Sequence, residues 1–200
     1  MPVFTDSTLF PTFHSLPSSS SSIFADSGEA NRDWFLLAQI KEDMTITKPT
    51  VIVRDRSGTE FAVTFDDGDH RGMGLKFRKG HTLVVPRATR TDRDDGKKAI
   101  VRVPQGQGAG VRIVPGGLEQ VLELGQVLAG IEGAEAEGEE KRRRKCAACG
   151  EMEKEGQALM RCTGCGAAAY CSKECQVRGW SEMGHKANCK VIRSIKEIWH

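Results

Sequence analysis

From Asp33 to about Ile131 the chain alternates short apolar runs rich in β-branched residues with Gly, Pro, Asp and Ser turn signals. FLLAQI (35–40), VIVRDR (51–56), EFAVTF (60–65), HTLVVPRATR (81–90), AIVRV (99–103) and VRIV (111–114) each predict a strand. In Val51 and Val53, and then in Phe61, Val63 and Phe65, every second residue is apolar, the period of a strand with one face on a core and one in solvent. Ser57 and Gly58 fit a tight hairpin between the second and third strands. Closing five or six such strands into a small barrel would remove the exposed edges. Leu118, Val121, Leu122 and Leu128 then recur at helical spacing after a Gly-Gly entry, which predicts a short amphipathic helix covering or capping that barrel.

On either side the pattern fails. Residues 1–32 have almost no basic residues, carry the serine run Ser18 to Ser22, and predict a disordered Ser-rich tail. The stretch EGAEAEGEEKRRRK (132–145) has no apolar period and changes its sign of charge midway, as a solvated linker does; its KRRRK is equally compatible with an import signal or a phosphate contact. GQGAG (106–110) lacks the Lys-Ser or Lys-Thr of a phosphate loop and predicts a plain loop. Beyond the last cysteine, Val191, Ile192, Ile195 and Ile198 form a helical stripe, so residues 190–200 predict an amphipathic helix.

Composition narrows the function classes. With 29 basic against 27 acidic residues and a formal charge of +2, the chain has no bulk preference for nucleic acid or anionic membrane. No run is long and apolar enough to span a bilayer, and the N-terminus has no charged segment leading into an apolar core, which predicts a nuclear or cytoplasmic protein that is not secreted.

Cysteine changes the picture most. All seven cysteines fall between 146 and 189, an odd number in a presumed reducing compartment, which argues against a disulfide framework. They group as Cys146-x-x-Cys149, Cys162-x-x-Cys165, Cys171-x-x-x-Cys175 and His185-x-x-x-Cys189. Four pairs supply eight ligands, enough for two tetrahedral Zn2+ sites, and the set of thiolates with one imidazole suits zinc. With every position taken by protein neither ion keeps an open site, which points to a structural role. Spacing alone allows sequential or interleaved pairing. Met152, Leu159, Met160 and Tyr170 are the expected finger core, too small to fold without metal.

The four pairs, the "YCSKECQ" around the third, and the Trp and "HK" before the last cysteine resemble the MYND-type zinc finger over residues 146–189. The resemblance implies Cys146, Cys149, Cys171 and Cys175 on one Zn2+ and Cys162, Cys165, His185 and Cys189 on the other. It further implies a protein-interaction module that takes short Pro-rich peptides, with Gln176 and Trp180 at peptide-contacting positions and Thr163 where a Ser can occur. Four residues apart, Gln176 and Trp180 share a helical face, although Trp180 could instead pack the finger's own core. Gly179 stands where the family often has an acidic residue, which leaves the end of that helix open. More weakly, the strand order with "DRSG" and "KGHTLVV" resembles an OB-fold of single-strand-binding proteins. That resemblance would make Phe61, Phe65, Phe77, Arg54, Lys76 and Arg78 contributors to a nucleic-acid surface, unless the phenylalanines are core.

The sequence thus predicts an OB-like β-barrel with a capping helix at 33–131 and a two-zinc finger at 146–189. Such a chain would be a non-enzymatic adaptor or regulator, with transcription as one setting, and its partners would be Pro-rich peptides. The alternative is a single-stranded nucleic-acid binder that uses the barrel.

Overall fold

The computed structural model describes residues 1–20, 33–68, 74–93, 96–136, 144–154 and 156–199. They divide into two compact units: Thr5–Glu119, and Met1–Phe4 together with Gln120–His200.

The first unit is a seven-stranded sheet of β1 (Phe35–Asp43), β2 (Thr50–Asp55), β3 (Glu60–Phe65), β4 (Thr82–Pro86), β5 (Arg90–Thr91), β6 (Ile100–Val103) and β7 (Arg112–Val114). Their order is β5-β6-β3-β2-β1-β4-β7, antiparallel throughout except for the parallel β3–β6 pair. Alternation works as expected: Val51 and Val53 of β2 pair with Val63 and Phe61 of β3, and all four are buried. β4 is apolar without alternation, with Leu83, Val84 and Val85 all buried. At the predicted hairpin, Gly58 has φ 84° and its N–H donates to the Asp55 carbonyl.

In this unit three expectations need correction. The long strand 81–90 is two strands, because Pro86 has no N–H to give the ladder and Arg87 turns the chain at φ 50°. The sheet does not close: β5 and β7 are its edges. Residues 1–20, expected as disordered tail, are ordered, and they supply what closure would have supplied. Arg90 of β5 donates its N–H to Pro17 and accepts one from Ser19, both at 2.8 Å, so the tail covers the edge strand. Phe10, Phe13 and Leu16 are buried, and Phe13 stacks on Phe61 at 4.2 Å. The Phe13 N–H donates to Oδ2 of the buried Asp55 at 2.7 Å, while the other oxygen of that carboxylate takes Ser57 and Thr59. The rest of the expected tail, residues 21–32, lies outside the described residues.

GQGAG is indeed a structural loop: the Asp67 carboxylate occupies the N–H groups of Gly106 and Gly108. Phe61 and Phe65 lie in the core, Phe77 packs partly buried against it, and Arg54 is paired with Glu60. The phenylalanines are therefore core rather than stacking platforms, while Lys76 and Arg78 remain exposed.

The expected short helix is α1 (Leu118–Ala136), 19 residues long; it runs through 132–136, predicted as linker, and all but its first two residues group with the finger. Residues 137–143 of that linker lie outside the described residues. Gly125 is a packing requirement in α1, since a Cβ there would lie 2.6 Å from the Phe4 ring. Phe4 is also edge-on to Trp199 at 5.0 Å, and Gln120 donates to Asn188 at 2.7 Å. The second unit continues with the two-residue strands β8 (Met160–Arg161) and β9 (Ala169–Tyr170), then α2 (Lys173–Ser181) and α3 (His185–Trp199). The C-terminal helix thus starts five residues before the predicted 190 and carries the last ligand pair, with Val191 and Ile195 buried.

Candidate metal centres and the adjoining groove

Two turns of the same design present the CysXXCys pairs. In each, a Gly with positive φ follows the second cysteine, Gly150 at 78° and Gly166 at 67°, a conformation that favours glycine. Its N–H donates back to the first cysteine's carbonyl, at 2.9 Å to Cys146 and 2.8 Å to Cys162. The third pair lies at the start of α2, where Ser172 caps the helix by accepting the Cys175 N–H at 3.2 Å. The fourth is one turn of α3, so His185 and Cys189 share a face.

These elements gather the eight side chains into Cys146, Cys149, Cys171 and Cys175, and Cys162, Cys165, His185 and Cys189, with donor atoms in each set within 4.8 Å of one another. This is the interleaved grouping, not the sequential one. Neighbouring donors are 3.5 Å apart at Cys149–Cys171 and Cys171–Cys175, 3.8 Å at Cys162–Cys189, and 3.4 Å from Cys165 Sγ to His185 Nε2. These separations are far from a disulfide bond of about 2.05 Å. A tetrahedron with Zn–S bonds of about 2.3 Å has edges of about 3.8 Å, so the spaces suit a zinc ion. Gly164 supports the same reading, because a Cβ there would press on Cys189 Sγ at 2.9 Å. The two clusters fit two Zn2+ per chain. Each ion would be held by thiolate, with imidazole added in the second, and its contribution would be to order the finger.

Within each set the thiols are shifted in opposite directions. Burial raises Cys146, but N–H groups of Cys149, Cys171 and Ala148 outweigh it and hold the thiol at about 6. Hydrogen-bonded sulfurs, Cys149 first, push Cys171 up to about 12. In the second set burial, then Cys162, pushes Cys189 up to about 12, whereas Cys162 is lowered against its own burial by the N–H groups of Cys165 and Gly164. Burial lowers His185, favouring the neutral imidazole a metal requires. The Tyr170 hydroxyl is raised by burial and then by the neighbouring thiols, and stays protonated.

The surroundings differ. In the first cluster Cys149 is exposed and only Cys146 is buried; in the second, Cys165, His185 and Cys189 are all buried. A cavity of about 480 Å³ opens at the second cluster, where Thr163, Gln176, Val177 and Trp180 line it together with the cluster residues Cys162, His185 and Cys189. It brings together all three residues singled out for peptide contact. Trp180 stays 41% exposed while contacting His185 edge-on at 5.4 Å, so the indole both packs on the finger and remains partly open to solvent. Gly179 does not end the helix: α2 runs through to Ser181.

Of the expected finger core Tyr170 is buried and Leu159 half-buried, whereas Met152 and Met160 are exposed; Ala169, Val191 and Ile195 complete the core with Cys146, Cys165 and Cys189. Strands of two residues cannot bury alternate side chains, so the helices and metal sites set what is inside. Sequence reasoning missed Val177 as a groove residue and Tyr170 as a polar partner of His185; the only signal was their place beside a ligand or within α2.

No helix among the described residues is long and apolar enough to cross a membrane. Residues 146–189 match the family model described as MYND finger. Over 40 residues, 20% of this chain, the sequence is 45% identical to the human (Homo sapiens) histone-lysine N-methyltransferase SMYD3, of which it covers 9%. Among solved structures, the mitochondrial single-stranded DNA binding protein Rim1 of S. cerevisiae aligns over 42% of this chain and 95% of its own, at 14% identity and a TM-score of 0.28, below the level at which a shared fold follows. The part of the chain that these comparisons identify is thus the C-terminal segment, a MYND-type zinc-binding finger.

Proposed function

We propose that the chain is a non-enzymatic adaptor or regulator whose finger docks short Pro-rich peptides of partner proteins, acting in the nucleus or cytoplasm. Cys146, Cys149, Cys171 and Cys175 hold one structural Zn2+, and Cys162, Cys165, His185 and Cys189 the other. The observation that carries the reading is the groove beside the second cluster, where Thr163, Gln176 and Trp180 meet. A proline-rich peptide is already extended, so it loses little entropy on docking and presents flat rings. The exposed part of the Trp180 indole receives a proline ring, the Gln176 amide bonds the peptide backbone, and Val177 extends the apolar wall. The SMYD3 match covers the finger alone and brings no catalytic segment with it. Of the phenylalanines that would serve the nucleic-acid reading, Phe61 and Phe65 are core and Phe77 is only partly accessible, which favours the finger as the binding element.

The test is a titration of a fluorescent PxLxP-type peptide with the zinc-loaded chain and with Trp180→Ala. Loss of a central aromatic contact should weaken binding at least about tenfold, with metal content still near two Zn2+. Unchanged affinity at full metal content would exclude the groove; a metal content near zero or one in wild type would exclude the ligand assignment.

A further inference from the structure

The second cluster differs from the first in containing an imidazole, and an imidazole has two nitrogens. His185 Nε2 faces the sulfurs, 3.4 Å from Cys165, while Nδ1 is hydrogen-bonded to the Tyr170 hydroxyl. A neutral ring carries a single N–H, and only the form with hydrogen on Nδ1 leaves the Nε2 lone pair free for a metal. An outer partner that accepts the Nδ1 hydrogen therefore selects the competent tautomer and fixes the ring plane.

Tyr170 is held where it can do this. It is 1% exposed, at the end of β9 and next to the ligand Cys171, and its ring stacks on the imidazole at 5.9 Å and 28°. On the other side of the phenol is α2. A Cβ on Gly179 would lie 2.8 Å from the Tyr170 hydroxyl, 2.9 Å from Cζ, and closer still to Cε1. Glycine within a helix costs about 1 kcal/mol relative to alanine. Here the missing side chain is the space that the phenol fills. The next residue, Trp180, covers the imidazole edge-on, so the Gly179-Trp180 pair admits one ring beside His185 and supplies another.

We propose that Tyr170 is the positioning residue of the second metal site: its hydroxyl oxygen accepts the Nδ1 hydrogen of His185 and presents Nε2 to the ion, and Gly179 is required to admit it. This rests on zinc occupying the second cluster.

The experiment is a competition of the zinc-loaded full chain against a chromophoric chelator. In Tyr170→Phe, which keeps the ring and removes only the hydroxyl, one of the two Zn2+ should be released about 10- to 100-fold more readily, while the other stays at the wild-type level. In a His185→Cys background there is no second nitrogen to orient, so adding Tyr170→Phe should change release by no more than about twofold. An equal loss in both backgrounds would reduce Tyr170 to packing and overturn the proposal, as would wild-type release from Tyr170→Phe. Should a variant fail to fold, nitrogen-15 NMR of the zinc-loaded wild type decides. A slowly exchanging hydrogen on His185 Nδ1 supports the proposal, and a metallated Nδ1 overturns it. A wild type that binds a single Zn2+ would instead remove the second metal site itself.

Discussion

In the β-sheet unit, β4 buries Leu83, Val84 and Val85 in succession; in the finger, both residues of β8, Met160 and Arg161, are exposed. The same contrast holds at the hairpins. β2 and β3 pair over five positions and close on a buried apolar layer, whereas β8 and β9 pair over two. The sheet is ordered by apolar area removed from water, each fully buried Val, Leu or Phe contributing about 1.5–3 kcal/mol. In the finger the ordering passes to the eight donors at its two centres, and its glycines sit where a Cβ would strain a turn or strike a sulfur or a ring. A finger of this kind can leave its apolar side chains outside, which is how Val177 and Trp180 come to be available at a groove.

The strongest way to break this comparison is to remove the metal. Structural zinc in finger-sized peptides is worth roughly 10–16 kcal/mol of apparent binding energy, far more than the finger's few buried side chains supply. Chelation should abolish amide protection in residues 144–199 while β1 to β4 keep theirs, read by hydrogen exchange on the full chain. Acid should act in the same direction, because protons compete with the ion for the thiolates. If the sheet is lost together with the finger, the two units are not held by separate means.

The sheet has its own weak point, and it lies where the sequence pattern was least informative. Phe13 stacks on Phe61, and its N–H takes up Asp55. Phe13→Ala should cost about 3–5 kcal/mol, lowering the denaturation midpoint of the sheet and leaving chelator competition for both Zn2+ unchanged. A loss below about 1 kcal/mol would mean that the first 20 residues only decorate the sheet.

What could be read in advance follows the same division. The strands were legible because β-branched residues alternate over Val51 to Phe65, and the ligands because thiol and imidazole pairs at fixed spacing have few other uses. Phe10, Phe13 and Leu16 were not legible: they sit among Ser, Thr and Pro with no period, and the segment is docked by long-range partners, Phe35, Asp55 and Arg90, that the local pattern does not announce. Sheet closure failed for a related reason, since alternation reports which face is buried but not what covers an edge. At the site, Gln176 and Trp180 were singled out by the resemblance to the MYND-type finger, and their spacing in the helix agreed with it without selecting them. Tyr170 could not be assigned to His185, because that hydrogen bond depends on Gly179, whose value lies in the side chain it lacks.

The smallest effect asks whether ordinary helix energetics still count in a region held by metal. Ser172 accepts the N–H of Cys175, so a single hydrogen bond both caps α2 and sets the backbone of a residue in the first cluster. Ser172→Ala should cost about 1 kcal/mol. Because α2 and the cluster form together, that cost should be read as about fivefold easier release of one Zn2+ in chelator competition, with the second ion and the sheet unaffected. Ser172→Thr keeps an oxygen in the cap and should restore most of the loss. If Ala releases zinc no faster than wild type, the metal alone orders the start of α2, and the division between apolar and metal-held regions is sharper than the capping geometry implies.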